Sequence, residues 1–134
     1  MPAAAPQAIR KQVRSRLREQ AALVRLLLRL REQLQGSLFS RYGLCGKATC
    51  VCRTGRKHGP YYVLSSRHEG RGSFAYLDAE EVSRARELLA RHREFRRGLV
   101  RLRRLNRELV DLLRRYQQAV VHQGGERLGI ARGA

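Results

Sequence analysis

The sequence predicts a mainly α fold with a small β-hairpin: an N-terminal helix, a Cys-rich loop plus hairpin, and a long C-terminal helix of coiled-coil character. Three observations predict it. Apolar residues recur every three or four positions along both flanks of the chain. A glycine- and cysteine-rich stretch between Gly36 and Pro60 interrupts that period. Two short runs of strand formers, "YYVLSSR" and "SFAYL", then flank the turn residues "HEGRG".

In order, residues 1–6 are a small-residue and proline lead-in, expected to be disordered. Over 7–35 the residues Ile9, Val13, Leu17, Ala21, Val24 and Leu28 form a helical stripe, which Leu23, Leu27, Leu30 and Leu34 widen. Gly36 then stands where a helix C-terminus takes a left-handed glycine. Residues 36–77 form a Cys/His loop and β-hairpin module, with a loop as far as Pro60 and strands over Tyr61–Arg67 and Ser73–Leu77. Asp78 with Glu81 reads as a capping box for a helix over 78–123. Its heptad seam runs Ala85, Leu88, His92, Phe95, Leu99, Leu102, Asn106, Leu109, Leu113, Tyr116, Val120. Leu89, Leu105 and Leu112 widen that seam, Gly98 is a candidate kink, and Asn106 is a polar residue that can set register and partner number. Residues 124–134 read as a disordered tail. The expected architecture is a single domain, an antiparallel two-helix stalk with the hairpin module at its tip. So little apolar area is buried in it that a homodimer, or docking into a larger complex, is expected.

The chain has 134 residues, and its 29 Lys and Arg outnumber 11 Asp and Glu for a net charge of +18. All the basic residues except Lys11, Lys47 and Lys57 are arginine, and the excess is spread over the whole length. Codon bias accounts for much of the arginine preference but not for the net charge, which points to a polyanionic partner. No apolar run is long enough to cross a membrane, since "AALVRLLLRL" is broken by Arg25 and Arg29. The first residues lack the basic-then-apolar order of a secretory signal, so a cytoplasmic location with reduced thiols is expected.

Every cysteine lies in "CGKATCVCRTGRKHGPYY". Cys45, Cys50, Cys52 and His58 offer three thiolates and one imidazole, the donor set of a closed, structural zinc site. Nearby Lys47, Arg53, Arg56 and Lys57 favour the thiolate forms. The spacing is not that of a common zinc finger, and the alternative is a packing loop in which Cys45 acts as a small hydrophobe. The C-x-x-C of a redox site is absent.

The run "GSLFSRYGLCGKATCVC…HGPYYVLSSRHEGRGSFAYLDAEEV" resembles a family of small basic bacterial proteins of uncharacterised function, with a CGKxxCxC…HGPYY signature. Members are often encoded with transposable-element genes. The likeness covers roughly Gly36 to Leu113 and leaves the N-terminal helix outside. It implies company with mobile elements and no defined activity.

Tyr61, Tyr62 and Tyr76 sit among Arg53, Arg56, Lys57, Arg67 and Arg71, a mixture that can stack bases and hold phosphate. Tyrosines are also ordinary strand residues, and alternation turns one of Tyr61 and Tyr62 inward. In "REFRRGLVRLRRLNR", Arg96, Arg97, Arg103, Arg104 and Arg107 can follow a phosphate backbone; the plainer alternative is a solvated face. No nucleophile–base motif or phosphate loop is present, and Asp78, Glu80 and Glu81 suit helix capping better than a metal-dependent nuclease. The expected function is therefore a non-enzymatic nucleic-acid-binding accessory of a mobile element, with DNA favoured over RNA. The alternative is a coiled-coil adaptor for a transposase or recombinase, bound through Leu88, Phe95, Leu99, Leu102, Asn106, Leu109, Leu113 and Tyr116.

Overall fold

The computed structural model describes residues 5–130. The start of the expected lead-in (1–4) and the end of the expected tail (131–134) lie outside the described residues. The elements in chain order are α1 (Pro6–Arg29), β1 (Gly36–Gly43), a 3-10 turn (Val51–Arg53), β2 (His58–His68), β3 (Arg71–Leu77) and α2 (Ala79–Arg127). The described chain divides into two compact units, one comprising residues 5–29 and 97–130, the other 30–96.

The helical unit pairs α1 with the C-terminal part of α2. Pro6 opens α1, where a missing N–H costs nothing. Positions that rise along α1 meet positions that fall along α2, so the pairing is antiparallel. Arg16 ion-pairs with Glu108 at 2.7 Å, Glu19 with Arg101 at 2.7 Å, and Leu27 packs against Gly98. Ile9, Leu27, Leu105, Leu109 and Leu112 form the buried core.

The seam is rotated from the expected one. Leu99 and Leu113 are 37% and 51% exposed, and Asn106 is exposed, with its Oδ1 accepting from Gln20 Nε2. Leu105 and Leu112, expected only to widen the seam, are buried. Gly98 explains the rotation: a β-carbon there would collide with the Leu27 side chain, so the glycine lets α1 come close. The helix runs on through Gly98 and extends to Arg127, beyond the expected end at Gln123.

In turn α1 ends at Arg29 rather than at Gln35. Arg31 takes a left-handed φ of 49°, which terminates the helix without a glycine. The segment after it belongs to the second unit: the Leu34 N–H donates to the Leu88 carbonyl (3.1 Å), and the Gln35 carbonyl accepts from the Arg67 N–H (3.0 Å).

In the second unit the sheet has three antiparallel strands in the order β1-β2-β3, one more than the expected hairpin. "GSLFSRYG", which reads as loop from its glycines and serines, pairs with β2 from Gly36↔Ser66 to Arg41↔Tyr61. A β-carbon at Gly36 would run into the Ser65 carbonyl, so the glycine serves strand approach and not a helix cap. Between β2 and β3, Glu69 and Gly70 both have left-handed φ (52° and 78°), the geometry of a tight type I′ hairpin turn.

Strand alternation gives the sheet two faces. Tyr62, Leu64 and Leu38 share the face toward α2, where Arg86 lies over the Tyr62 ring at 5.9 Å and Val82, Ala85 and Leu89 are buried. At the start of α2 the expected capping box is present. The Glu81 N–H donates to Asp78 Oδ1 (2.8 Å), and the Asp78 N–H donates to Glu81 Oε1 (3.1 Å).

Candidate functional site

Residues 44–57 connect β1 to β2 between the paired positions Gly43 and His58, so His58 is fixed by the sheet itself. The loop folds back in two tight turns. The Cys50 N–H donates to the Lys47 carbonyl (3.3 Å), and the Arg53 N–H donates to the Cys50 carbonyl (3.3 Å). The 3-10 turn carries Cys52 into the interior, where it is 1% exposed.

These turns bring together the four residues expected from the sequence. The ligand atoms of Cys45, Cys50, Cys52 and His58 all lie within 4.8 Å of one another. Cys45 Sγ and Cys52 Sγ are 3.6 Å apart, and Cys50 Sγ is 3.1 Å from His58 Nε2. Two sulfurs bound at about 2.3 Å with tetrahedral angles stand about 3.8 Å apart, so the spacing suits a shared ion. All three cysteines are free thiols. The cluster can hold a metal ion.

Electrostatics favour ionised sulfur at one position. Cys50 is brought from 9.0 down to about 6, first by a hydrogen bond from the Cys52 backbone, then by His58 and the neighbouring thiols. At Cys52 the Cys45 N–H, 3.4 Å from its sulfur, favours the thiolate, but burial and the adjacent Cys50 and Cys45 outweigh it, so the pKa is raised. Two thiols at such close range resist joint ionisation, and a cation between them removes that conflict.

The basic residues expected around this loop, Lys47, Arg53, Arg56 and Lys57, are all exposed. Arg53 Nε donates to the Lys47 carbonyl at 3.5 Å. Tyr61 and Tyr62 part company as alternation requires: Tyr62 is half-buried toward α2, and Tyr61 is exposed on the other face of the sheet. Arg67 and Arg71 are exposed near the hairpin turn. On α2, Arg96, Arg97, Arg103, Arg104 and Arg107 are exposed. Of the expected seam, Leu109 is buried; Leu88, Phe95, Leu102 and Tyr116 are half-buried.

Sequence reasoning passed over Phe39, Arg41 and Phe74. Phe39 and Phe74 are 43% and 74% exposed on the same sheet face as Tyr61 and Tyr76. The signal was the alternation in "SLFSRY" and "SFAYL", which becomes readable once β1 is recognised as a strand.

A family model described as "Domain of unknown function (DUF6788)" matches residues 8–87, more than half of the chain, and the chain belongs to that family. The matched span takes in α1 from its third residue onward, which the resemblance had left outside, and ends in the first part of α2. No curated protein and no solved structure matches the chain. Among the described residues, no helix is long and apolar enough to cross a membrane.

Proposed function

We propose that the chain is a non-enzymatic nucleic-acid-binding protein in which a structural zinc ion organises the Cys45–His58 loop and the arginines of α2 hold a phosphate backbone. The observation that carries this reading is the arginine run of α2. It places seven arginines between Arg93 and Arg107, and among the described residues only Arg101 of these has an ion-pair partner. Like charges so close together repel one another, and a polyanion relieves that repulsion while releasing its own counterions. Zinc is favoured over other metals because thiolates are soft ligands; four protein donors leave no open position for a substrate, which makes the role structural. The resemblance to proteins encoded with transposable elements favours DNA, and a role as an accessory of a mobile element on the bacterial nucleoid.

Binding of a labelled duplex across salt concentrations tests this. A contact with six to ten phosphates weakens about 10³- to 10⁵-fold between 50 and 200 mM salt. Each of Arg103→Ala, Arg104→Ala and Arg107→Ala lowers the log–log slope by about 0.9 if it removes one phosphate contact. Affinity that ignores salt overturns the reading.

A second reading, a protein adaptor, is favoured by exposed apolar residues in the helical unit: Leu17 at 48%, Leu28 at 72% and Leu113 at 51%. Its partner is a mobile-element protein such as a transposase. Leu28→Ser with Leu113→Ser then abolishes capture of that partner while the metal loop keeps its ion.

A further inference from the structure

We propose that the open face of the three-stranded sheet is a stacking platform for unpaired bases, so that the ligand is a single-stranded nucleic acid. The proposal rests on the nucleic-acid reading above, and adds the form of the ligand and the surface that holds it.

Register places the residues. Phe39, Val63 and Tyr76 lie side by side across the three strands, Ser65 pairs with Phe74, and Arg41 pairs with Tyr61. Paired residues of an antiparallel sheet share a face. This face therefore carries Phe39, Tyr61, Phe74 and Tyr76, flanked by Arg41 at one end and Arg67 at the other. The four rings are 43%, 44%, 74% and 63% exposed. Tyr61 and Tyr76 pack edge to face, with centroids 6.4 Å apart and planes at 89°, so one ring braces the other. The Arg41 guanidinium lies 5.9 Å from the Tyr76 ring centre.

Structural need does not explain this arrangement. The sheet's other face carries buried Leu64 and half-buried Tyr62, with Arg86 of α2 over the Tyr62 ring; on the ring face Val63 alone is buried, at 3% exposure, and covering one valine does not call for four rings. Four exposed rings gathered on one face of a small sheet form a contiguous apolar patch of the kind that marks an interaction site.

Charge selects the occupant. None of the three strands contains an aspartate or glutamate, and the sole acid between Gly36 and Leu77 is Glu69 in the hairpin turn. A ligand that fits must offer flat apolar faces and negative charge in alternation. Unpaired nucleotides do so, because the base lies on the ring while phosphate meets Arg41 and Arg67. In a duplex the base faces are stacked on one another and unavailable to the sheet. With only Ser37 and Ser65 as polar groups among the rings, stacking dominates and binding is expected to tolerate any sequence.

The test uses the full-length, metal-replete chain with three probes of equal length: oligothymidylate, oligouridylate and a blunt DNA duplex. The chain has five tyrosines and no tryptophan, so its own fluorescence reports stacking on Tyr61 and Tyr76. Single strands are expected to bind more tightly than the duplex and to quench tyrosine emission. Phe74→Ala and Tyr76→Ala are each expected to weaken single-strand binding about tenfold or more, without affecting the duplex; Tyr76→Phe retains binding. Should either alanine variant lose its metal, Phe74→Leu and Tyr76→Leu keep apolar bulk and read the same loss. Preference for the uridylate or the thymidylate strand identifies RNA or DNA, and either supports the platform. Equal binding of duplex and single strand, unchanged in the ring variants, overturns the platform and leaves the arginine contact standing. No binding to any probe overturns both. A chain that is dimeric in solution and becomes monomeric on Phe74→Ala assigns the face to a second copy and also overturns it.

Discussion

Ile9, Leu27, Leu105, Leu109 and Leu112 give the helical unit a repeating apolar seam, whereas the unit of residues 30–96 buries Cys52, Val63, Leu64, Val82, Ala85 and Leu89. The most enclosed residue of that second unit, Cys52 at 1% exposure, is also one of its four candidate metal ligands. The helices draw on periodic burial, which tolerates a shifted seam. The β unit is small, and on the ring-bearing face of its sheet Val63 is the one buried hydrophobic residue; under the proposed reading, a metal bound by the four candidate ligands would supply what a core of that size lacks.

The largest effect that sharpens this contrast comes from metal removal. Chelation, or Cys52→Ser, should unfold the loop and loosen β1 and β2 while the helical unit keeps its structure; structural zinc contributes about 10–16 kcal/mol at pH 7 in small domains. Hydrogen exchange resolves the two units, and uniform protection after chelation would erase the contrast. Acid should act in the same direction. Because folding lowers the Cys50 pKa from 9.0 to about 6, its contribution is complete above about pH 9 and disappears as pH falls through about 6. A metal-release titration should therefore show its steep limb near or below pH 6.

Next in size, Leu105→Ala or Leu109→Ala should cost about 2–5 kcal/mol in thermal or denaturant unfolding of the helical unit, leaving metal stoichiometry unchanged. Gly98→Ala is a sharper test of the rotated seam. Helix propensity alone favours alanine by about 1 kcal/mol, but the collision with Leu27 should reverse the sign and cost about 1–3 kcal/mol. The smallest effect is Asp78→Ala, which removes the cap on α2 and should cost about 1 kcal/mol by the same unfolding measurement.

The helices, the capping box at Asp78 and Glu81, and the four candidate ligands of the loop were legible in the sequence because each depends on residue types at short, fixed spacing. Strand β1 was not: Gly36, Ser37, Ser40 and Gly43 are poor strand formers, and "GSLFSRYG" becomes a strand only through its pairing with β2. The end of α1 at Arg29 was hidden for a similar reason, since Leu34 and Gln35 take their backbone partners from Leu88 and Arg67. Rotation of the α2 seam depends on Gly98 admitting Leu27, a contact between residues far apart in sequence. Missing β1 also hid the shared face of Phe39, Tyr61, Phe74 and Tyr76.

Zinc content per chain, measured by elemental analysis on protein purified without chelator, decides whether a metal orders the Cys45–His58 loop. One zinc per chain is expected, lost in Cys50→Ser and retained in Leu109→Ala. Metal-free protein whose residues 44–57 are nevertheless protected from exchange would contradict it, because the loop would then be ordered by packing alone.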